Sequence, residues 1–395
     1  EAGMRIVYYL ERVSLADGGV ARAVLDMAAV MAKLGEEVQV ATVDGMDLPD
    51  EWWSGGPGLP QAVKICDSTG FLGRLGADGL QKLEQILRPA DVLHLQGPWE
   101  FSNFQAAEIA RAAGVPYLVS SHGMLDDWSM AQKAIKKRLY HTLFAGPMLR
   151  RATRVHTTAK AERDQVSKWA PVYEDSTIPY IMDLEPFREL PGPDLALEAF
   201  PALRTEKLKL LFLSRLHVKK GVDVALRELA LLRDRGLDSE FYIAGTGEDA
   251  YVSELHQQVE QLDLSDRVHF LGLVTGEAKL SLFQACDLML LPTSQENFGL
   301  ALTESIACAT PVVTTRGTDI WRELEESGGA AIVDRESGSF ADAIRDYASD
   351  RSMLAERGEQ ARKYVFDWLD PEVVGERFRN LYATVSEAKV RAGAA

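Results

Sequence analysis

The run Leu288-Met-Leu-Leu-Pro292 leaves the chain around it little choice of fold. It has no polar residue to turn toward water, so as a strand it must be buried on both faces. Strands of that kind belong to parallel sheets with helices above and below. The residues that follow agree. Asn297-Phe-Gly299 is a turn, Leu300, Leu302, Thr303, Ile306 and Ala307 fit one helix, and Pro311-Val-Val313 opens another strand. Together they make a βαβ unit.

The same alternation runs through both halves of the chain. In the first half, 5–10, 37–43, 91–95, 116–120 and 154–158 read as strands separated by helix-length segments. A helix after Gly18-Gly19 carries Val20, Val24, Leu25, Ala28, Val30, Met31 and Leu34. The pattern breaks where Pro186, Pro191, Pro193 and Pro201 cluster, which reads as a linker. It restarts with strands at 208–214, 240–245, 268–271, 287–291, 311–315 and 330–333. After Ser339 the chain reads as helical, broken at Phe366–Pro371, and Val373, Val374, Phe378, Leu381 and Tyr382 form an apolar face beyond the break. At 395 residues the chain is too long for one ordinary core. The expected class is α/β, with two Rossmann-like doubly wound parallel-sheet domains over 4–190 and 191–365 and a C-terminal helix over 366–390.

Open α/β sheets bind ligands at the carboxyl ends of their strands, where helix N-termini present free N–H groups. Glu296 falls in such a loop, and Glu304 about one turn inside the following helix. The amides of Asn297, Phe298 and Gly299 lie between them, with Leu300 opening the helix. Carboxylates accept paired hydrogen bonds from vicinal hydroxyls, so the two glutamates suit a sugar ring better than a bare phosphate. Two glutamates at an arbitrary spacing are ordinarily solvated surface charges; here the strand, turn and helix around them outweigh that reading. In Ser214-Arg-Leu-His-Val-Lys-Lys-Gly221, Arg215 and Lys220 stand beside another strand end and helix start, which favours an anion. The chain has no Asp-x-Asp to hold a divalent metal, and no histidine pair has zinc-site spacing.

These segments, with Pro-Thr-Ser-Gln-Glu-Asn-Phe-Gly and Glu304-Ser-Ile-Ala-Cys-Ala-Thr-Pro-Val-Val313, resemble the retaining glycosyltransferases of family 4, which have the GT-B fold. The resemblance is strong over 208–316 and more diffuse before 190. It implies two domains facing a cleft, with the C-terminal helix crossing back to the first. It implies that Arg215 and Lys220 hold the donor diphosphate while Lys219 faces solvent. Glu304 would hold the ribose, Glu296 with Asn297–Gly299 the sugar, and the backbone at Leu273 the base. Gly245 and Gly247 would pack against the nucleotide, and Gly18 and Gly19 would approach the phosphate. His122, in Ser120-Ser-His-Gly-Met-Leu125, matches a cleft histidine near the donor sugar. Two positions depart from the family: Ala309 replaces a common Gly, and Ile178-Pro-Tyr-Ile-Met-Asp183 replaces Ile-Pro-Asn-Gly.

The resemblance implies retaining, metal-independent transfer from a nucleoside-diphosphate sugar, UDP before GDP, to a hydroxyl of a saccharide or lipid-linked saccharide. The Arg215, Lys220, Glu296 and His122 side chains are the expected catalytic set, and no cofactor or metal is expected. A nucleotide-sugar epimerase of the same fold, and a silent nucleotide-sugar-binding partner subunit, are the alternatives. A net charge of −16 argues against nucleic acid as a partner. The three cysteines read as free thiols of a reducing cytoplasm, and neither a signal-peptide layout nor a bilayer-length apolar run is present. One window opposes the overall charge. Trp128–Ala161 has no acidic residue but holds Lys133, Lys136, Lys137, Arg138, Arg150 and Arg151. That island is a candidate for peripheral contact with an anionic membrane, for holding an anionic acceptor, or merely a solvated helix face.

Overall fold

A strand apolar on both sides needs two helical layers, and this chain builds that arrangement twice. The computed structural model describes residues 3–15 and 19–393, with side chains to Glu387. One unit comprises the chain to Asp183 together with the part from Leu369 onward; the other is Leu184–Trp368.

The first unit has six parallel strands: β1 (Arg5–Tyr9), β2 (Glu37–Thr42), β3 (Gln61–Lys64), β4 (Val92–Gln96), β5 (Tyr117–Ser120) and β6 (Arg154–His156). Their order is β3-β2-β1-β4-β5-β6, so the winding reverses between β1 and β4. Alternate residues feed two cores. Ile6, Tyr8, Val38 and Val40 pack with Val24, Met27 and Met31 of the helix Gly19–Lys33. Val7, Tyr9, Leu93 and Leu95 pack with Leu83, Leu87, Ala106 and Ala110 on the other face. The strand β3 had no sequence signal, because a four-residue edge strand with two apolar residues shows no period.

The C-terminal helix Pro371–Gly393 belongs to this unit and buries Val374, Phe378, Leu381, Tyr382 and Val385 in the first core. Val373, expected on that face, is 54% exposed, because the buried stripe starts one residue later. The tyrosine anchors a buried polar chain: Tyr8 Oη to Tyr382 Oη is 2.7 Å, Tyr382 Oη to His94 Nδ1 2.8 Å, and His94 Nε2 to Ser120 Oγ 2.7 Å. Ser120 Oγ then meets His156 Nδ1 at 2.7 Å, and His156 Nε2 meets the Ile178 carbonyl at 2.8 Å. Burial holds both imidazoles neutral, and the terminal carbonyl can only accept, so each ring carries its proton on Nε2.

The second unit holds β7 (Leu208–Leu213), β8 (Ser239–Ala244), β9 (Val268–Gly272), β10 (Leu288–Leu291), β11 (Val312–Thr315) and β12 (Ala330–Val333). All are parallel, in the order β12-β11-β10-β7-β8-β9, with the reversal between β7 and β10. The chain passes between units after Asp183 and again after Trp368, rather than at 190 and 365 as expected. The proline-rich stretch is therefore not a free linker. Its helix Asp194–Ala199 packs on the helix Gly276–Ala285, where the Ala196 N–H donates to Ser281 Oγ (2.9 Å) and the Gly192 N–H to Gln284 Oε1 (2.7 Å). All three cysteines are free, with Cys286 and Cys308 buried.

Candidate functional site

Because the winding of the second sheet reverses between β7 and β10, the loops leaving those strands diverge and open a crevice at their carboxyl ends. The crevice loops are tied to one another. The Lys219 carbonyl accepts from the Ser294 N–H (2.8 Å), Thr293 Oγ1 (3.1 Å) and Ser294 Oγ (3.2 Å). Gly221, at φ +78°, is what lets them meet: a Cβ there would lie 2.2 Å from the Pro292 carbonyl oxygen. Lys219 itself does not face solvent as expected; it is half-buried and its Nζ donates to Gln295 Oε1 at 3.2 Å.

Lys220 is 7% exposed, and its ammonium contacts the Glu296 carboxylate. Burial, with the charges of Lys219 and Arg215, pushes this lysine down to about 7; the glutamate against it favours the charged form. Arg215 is exposed and makes no hydrogen bond or ion pair among the described residues. One cation is thus fixed and buried, the other uncommitted, in the same loop.

Glu296 is braced from β11's exit loop: its N–H donates to the Gly317 carbonyl (2.8 Å), and its carbonyl accepts from the Asp319 N–H (3.0 Å). Asn297 Nδ2 donates to Asp319 Oδ2 at 3.0 Å. Phe298 is buried, its ring 5.7 Å from that of Trp368. Gly299, at φ +67°, ends the turn and the helix Leu300–Ala307 begins. Glu304, in the second turn of that helix, is paired with Lys279 Nζ at 2.9 Å, both partly exposed. Arg215, Lys220, Glu296, Asn297, Phe298, Gly299, Leu300 and Glu304 therefore share one sheet edge.

Gly245 and Gly247 stand at β8's exit on the same edge, but their missing side chains make room for protein. A Cβ at Gly245 would lie 1.9 Å from the Ser214 carbonyl oxygen, and one at Gly247 2.2 Å from that of Leu216. Their smallness lets the β7 and β8 loops pair, through the Leu216–Gly247 bridge. Leu273, after β9, is 71% exposed. Among the described residues no group of His, Cys, Asp or Glu is placed to hold a metal ion.

The remaining candidates lie in the first unit. Gly18 falls outside the described residues, and Gly19 opens its helix with no atom within 4 Å of a would-be Cβ. His122 is a left-handed residue (φ +50°), 7% exposed, with both ring nitrogens engaged. Nε2 meets Gln96 Oε1 at 2.8 Å and Nδ1 meets the Tyr180 hydroxyl at 2.5 Å. Burial pushes it down to about 3, so its imidazole is neutral. Tyr180 is the residue that departs from the family pattern, and here it fixes the histidine. Sequence reading missed Lys279, Asp319, Gln96 and Tyr180. The position of Asp319 just past a strand end was a usable signal; Lys279, on a helix flank, offered none.

In the basic island, the helix Ala134–Tyr140 buries no residue. Ile135 (87%), Leu139 (61%) and Leu143 (54%) face solvent, with Lys133, Lys136 and Arg138 also exposed. Lys137 turns inward, donating to the Ser129 carbonyl (2.6 Å) with its Nζ 5.3 Å from the Trp99 ring centroid, and Arg151 pairs with Glu108. No helix among the described residues is long and apolar enough to cross a membrane.

The sequence profile of the glycosyl transferases group 1 matches residues 192–364, and that of the glycosyl transferase 4-like domain matches 18–179. A D-inositol 3-phosphate glycosyltransferase of Pseudarthrobacter chlorophenolicus is 26% identical, over 87% of this chain and 85% of its own. A phosphatidyl-myo-inositol mannosyltransferase of Mycolicibacterium smegmatis is 29% identical, over 95% and 92%. Among solved structures, Anabaena HepE in complex with UDP shares the fold at a TM-score of 0.76, with 20% identity, covering 96% of this chain and 100% of that one. WaaG, a glycosyltransferase involved in lipopolysaccharide biosynthesis, does so at 0.69, with 17% identity, covering 95% and 99%. With both halves matched in order and both sheets in place, the chain belongs to the family 4 glycosyltransferases, of GT-B fold.

Proposed function

We propose that the chain transfers a sugar from a nucleoside-diphosphate sugar to a hydroxyl of a saccharide or lipid-linked saccharide, with retention and without a metal. The carrying observation is the buried Lys220 held against Glu296, beside the uncommitted Arg215, at the reversal point of the second sheet. When the anomeric carbon–oxygen bond to the diphosphate breaks, negative charge grows on the leaving oxygen, where fixed cations in a partly dry site stabilise it most. The new bond forms on the same face, and the acceptor's hydroxyl proton passes to a departing phosphate oxygen. Glu304, held by Lys279, accepts from the ribose hydroxyls; Glu296 accepts from the sugar.

UDP is the first donor base to test, since HepE was solved with UDP and UDP-glucose. GDP is second, since a Mycobacterium tuberculosis relative, 31% identical over 41% of this chain, is named GDP-mannose-dependent. A thermal-shift screen with UDP, GDP, ADP and TDP tests the reading, because a ligand bound only by the folded state raises its stability. No shift with any of them would contradict it. A donor epimerised in the absence of acceptor would favour the epimerase alternative.

The work site we assign is the cytoplasmic face of a membrane carrying surface-polysaccharide precursors. The support is the helix Ala134–Tyr140, whose outer side combines Ile135, Leu139 and neighbouring cations. An apolar stripe flanked by cations suits the headgroup region of an anionic bilayer.

A further inference from the structure

The reversal point of the first sheet, between β1 and β4, holds a second cavity, of about 320 Å³, apart from the edge where Lys220 meets Glu296. Its polar walls are Glu11, Arg12, Ser14, Gln96 and Glu100, and Leu10 and Met124 are among its apolar ones. The volume lies at the small end of ligand pockets, about 300 Å³ upward, enough for a single ring.

The hydrogen-bonding capacity of these walls is mixed in a particular way. Ser14 is 1% exposed and its Oγ has no hydrogen-bond partner among the described residues, which is costly for a buried hydroxyl unless a ligand completes it. Gln96 takes the His122 Nε2 proton on its Oε1, so its amide group is turned to donate, with only a long 3.5 Å contact to the His94 carbonyl. Glu11 accepts from Thr69 Oγ1 (3.1 Å) and Ser102 Oγ (2.7 Å), and Glu100 from Asn103 Nδ2 (3.1 Å), each carboxylate keeping lone pairs to spare. The cation among the lining residues, Arg12, is exposed and paired with Asp44 at 3.3 Å.

We propose that Glu11, Ser14, Gln96 and Glu100 form the subsite for the acceptor's sugar ring, and that it admits a ring without phosphate and refuses a phosphorylated one. A sugar hydroxyl both donates and accepts, so it satisfies a serine, an amide and two carboxylates at once. A phosphate only accepts at neutral pH, and it would be placed against two carboxylates, whose like charge repels it. Glu100 already stands above the ordinary carboxylate range, through burial and the charge of Glu11, so the pocket resists further negative charge. The selectivity would separate this chain from the relatives named for inositol phosphate and phosphatidylinositol. It rests on the transferase reading only for the word acceptor; binding itself is measured without a donor.

The test is saturation-transfer NMR of the intact chain with the methyl glycosides of glucose, galactose and mannose and with the three corresponding sugar 6-phosphates. At least one methyl glycoside should bind, its 6-phosphate at least ten-fold more weakly. The Glu11→Gln/Glu100→Gln double variant should bring the two within about three-fold. Ser14→Ala should weaken the neutral sugar about five-fold, the loss of one hydrogen bond of about 1 kcal/mol. Because Ser14 Oγ has no partner among the described residues, that variant should fold normally even where the double variant does not. Equal binding of the phosphorylated and neutral sugars, no binding of any glycoside, or indifference to Ser14→Ala would each overturn the proposal. Selective binding without any sugar transfer from a donor would instead leave the subsite standing and remove the transferase reading.

Discussion

Ala309 shows what a single methyl group does to a turn. It sits at φ +62°, where a Cβ crowds the backbone, and its carbonyl lies under Gly358 so closely that a Cβ there would come within 2.0 Å. The left-handed conformation costs an L-residue roughly 1–2 kcal/mol, while glycine loses about 0.5–1 kcal/mol in unfolded-chain entropy. Ala309→Gly should therefore raise stability by up to about 1 kcal/mol, read as a higher denaturant midpoint at unchanged slope. The site residues separate by what each touches. Glu304→Ala removes the expected ribose contact and leaves Lys279 unpaired, so nucleotide affinity should fall by about 1–3 kcal/mol, measured calorimetrically. Arg215→Ala and Lys220→Ala should instead lower kcat more than binding, because their charges matter most as the leaving group develops. Wild-type turnover in both would remove the pair from the mechanism.

At the scale of elements, the solvent-facing helix makes a prediction of its own. Ile135, Leu139 and Leu143 recur every four residues, so they form one outward stripe, and the neighbouring cations lie beside it. Vesicles containing acidic lipid should bind the protein, less so as salt rises. Lys133→Glu/Lys136→Glu/Arg138→Glu should abolish that binding and leave nucleotide affinity unchanged; equal binding to neutral vesicles would contradict the electrostatic part. Most elements were legible in the sequence because burial on both faces writes itself as apolar runs, as in Leu288–Leu291. The edge strand Gln61–Lys64 was not, since one-sided burial over four residues leaves no period. Arg215, Lys220 and Glu296, in loops, and Glu304, in the helix that follows, were legible from their place after strands. Their partners were not: Lys279 reaches Glu304 from a different helix, and Tyr180 reaches His122 from beyond β6, pairings that only the folded chain brings about.

For the molecule as a whole, the buried histidines set the response to acid. His94, His122 and His156 are held neutral in the first unit, all three pushed below their ordinary value mainly by burial, His122 to about 3. The unfolded chain takes up these protons near pH 6.5 and the folded one only at lower pH, so stability is full above that pH and falls as pH drops, for His122 until about 3. At pH 5 the neutral His122 costs about 2 kcal/mol. Hydrogen exchange at pH 5 against pH 7, corrected for intrinsic rates, should show residues of the first unit losing protection before those of Leu184–Trp368. Equal loss in both units would contradict this account of the polar chain.

Sugar transfer at the edge where Lys220 meets Glu296 is read without intermediary by proton NMR of a reaction. With UDP-glucose, GDP-mannose and related donors, and an acceptor saccharide or lipid-linked saccharide, one donor should be consumed in step with a new glycoside. The product's anomeric coupling should match the donor's configuration. An inverted product would contradict retention, and donor lost with no new glycoside from the whole panel would contradict transfer.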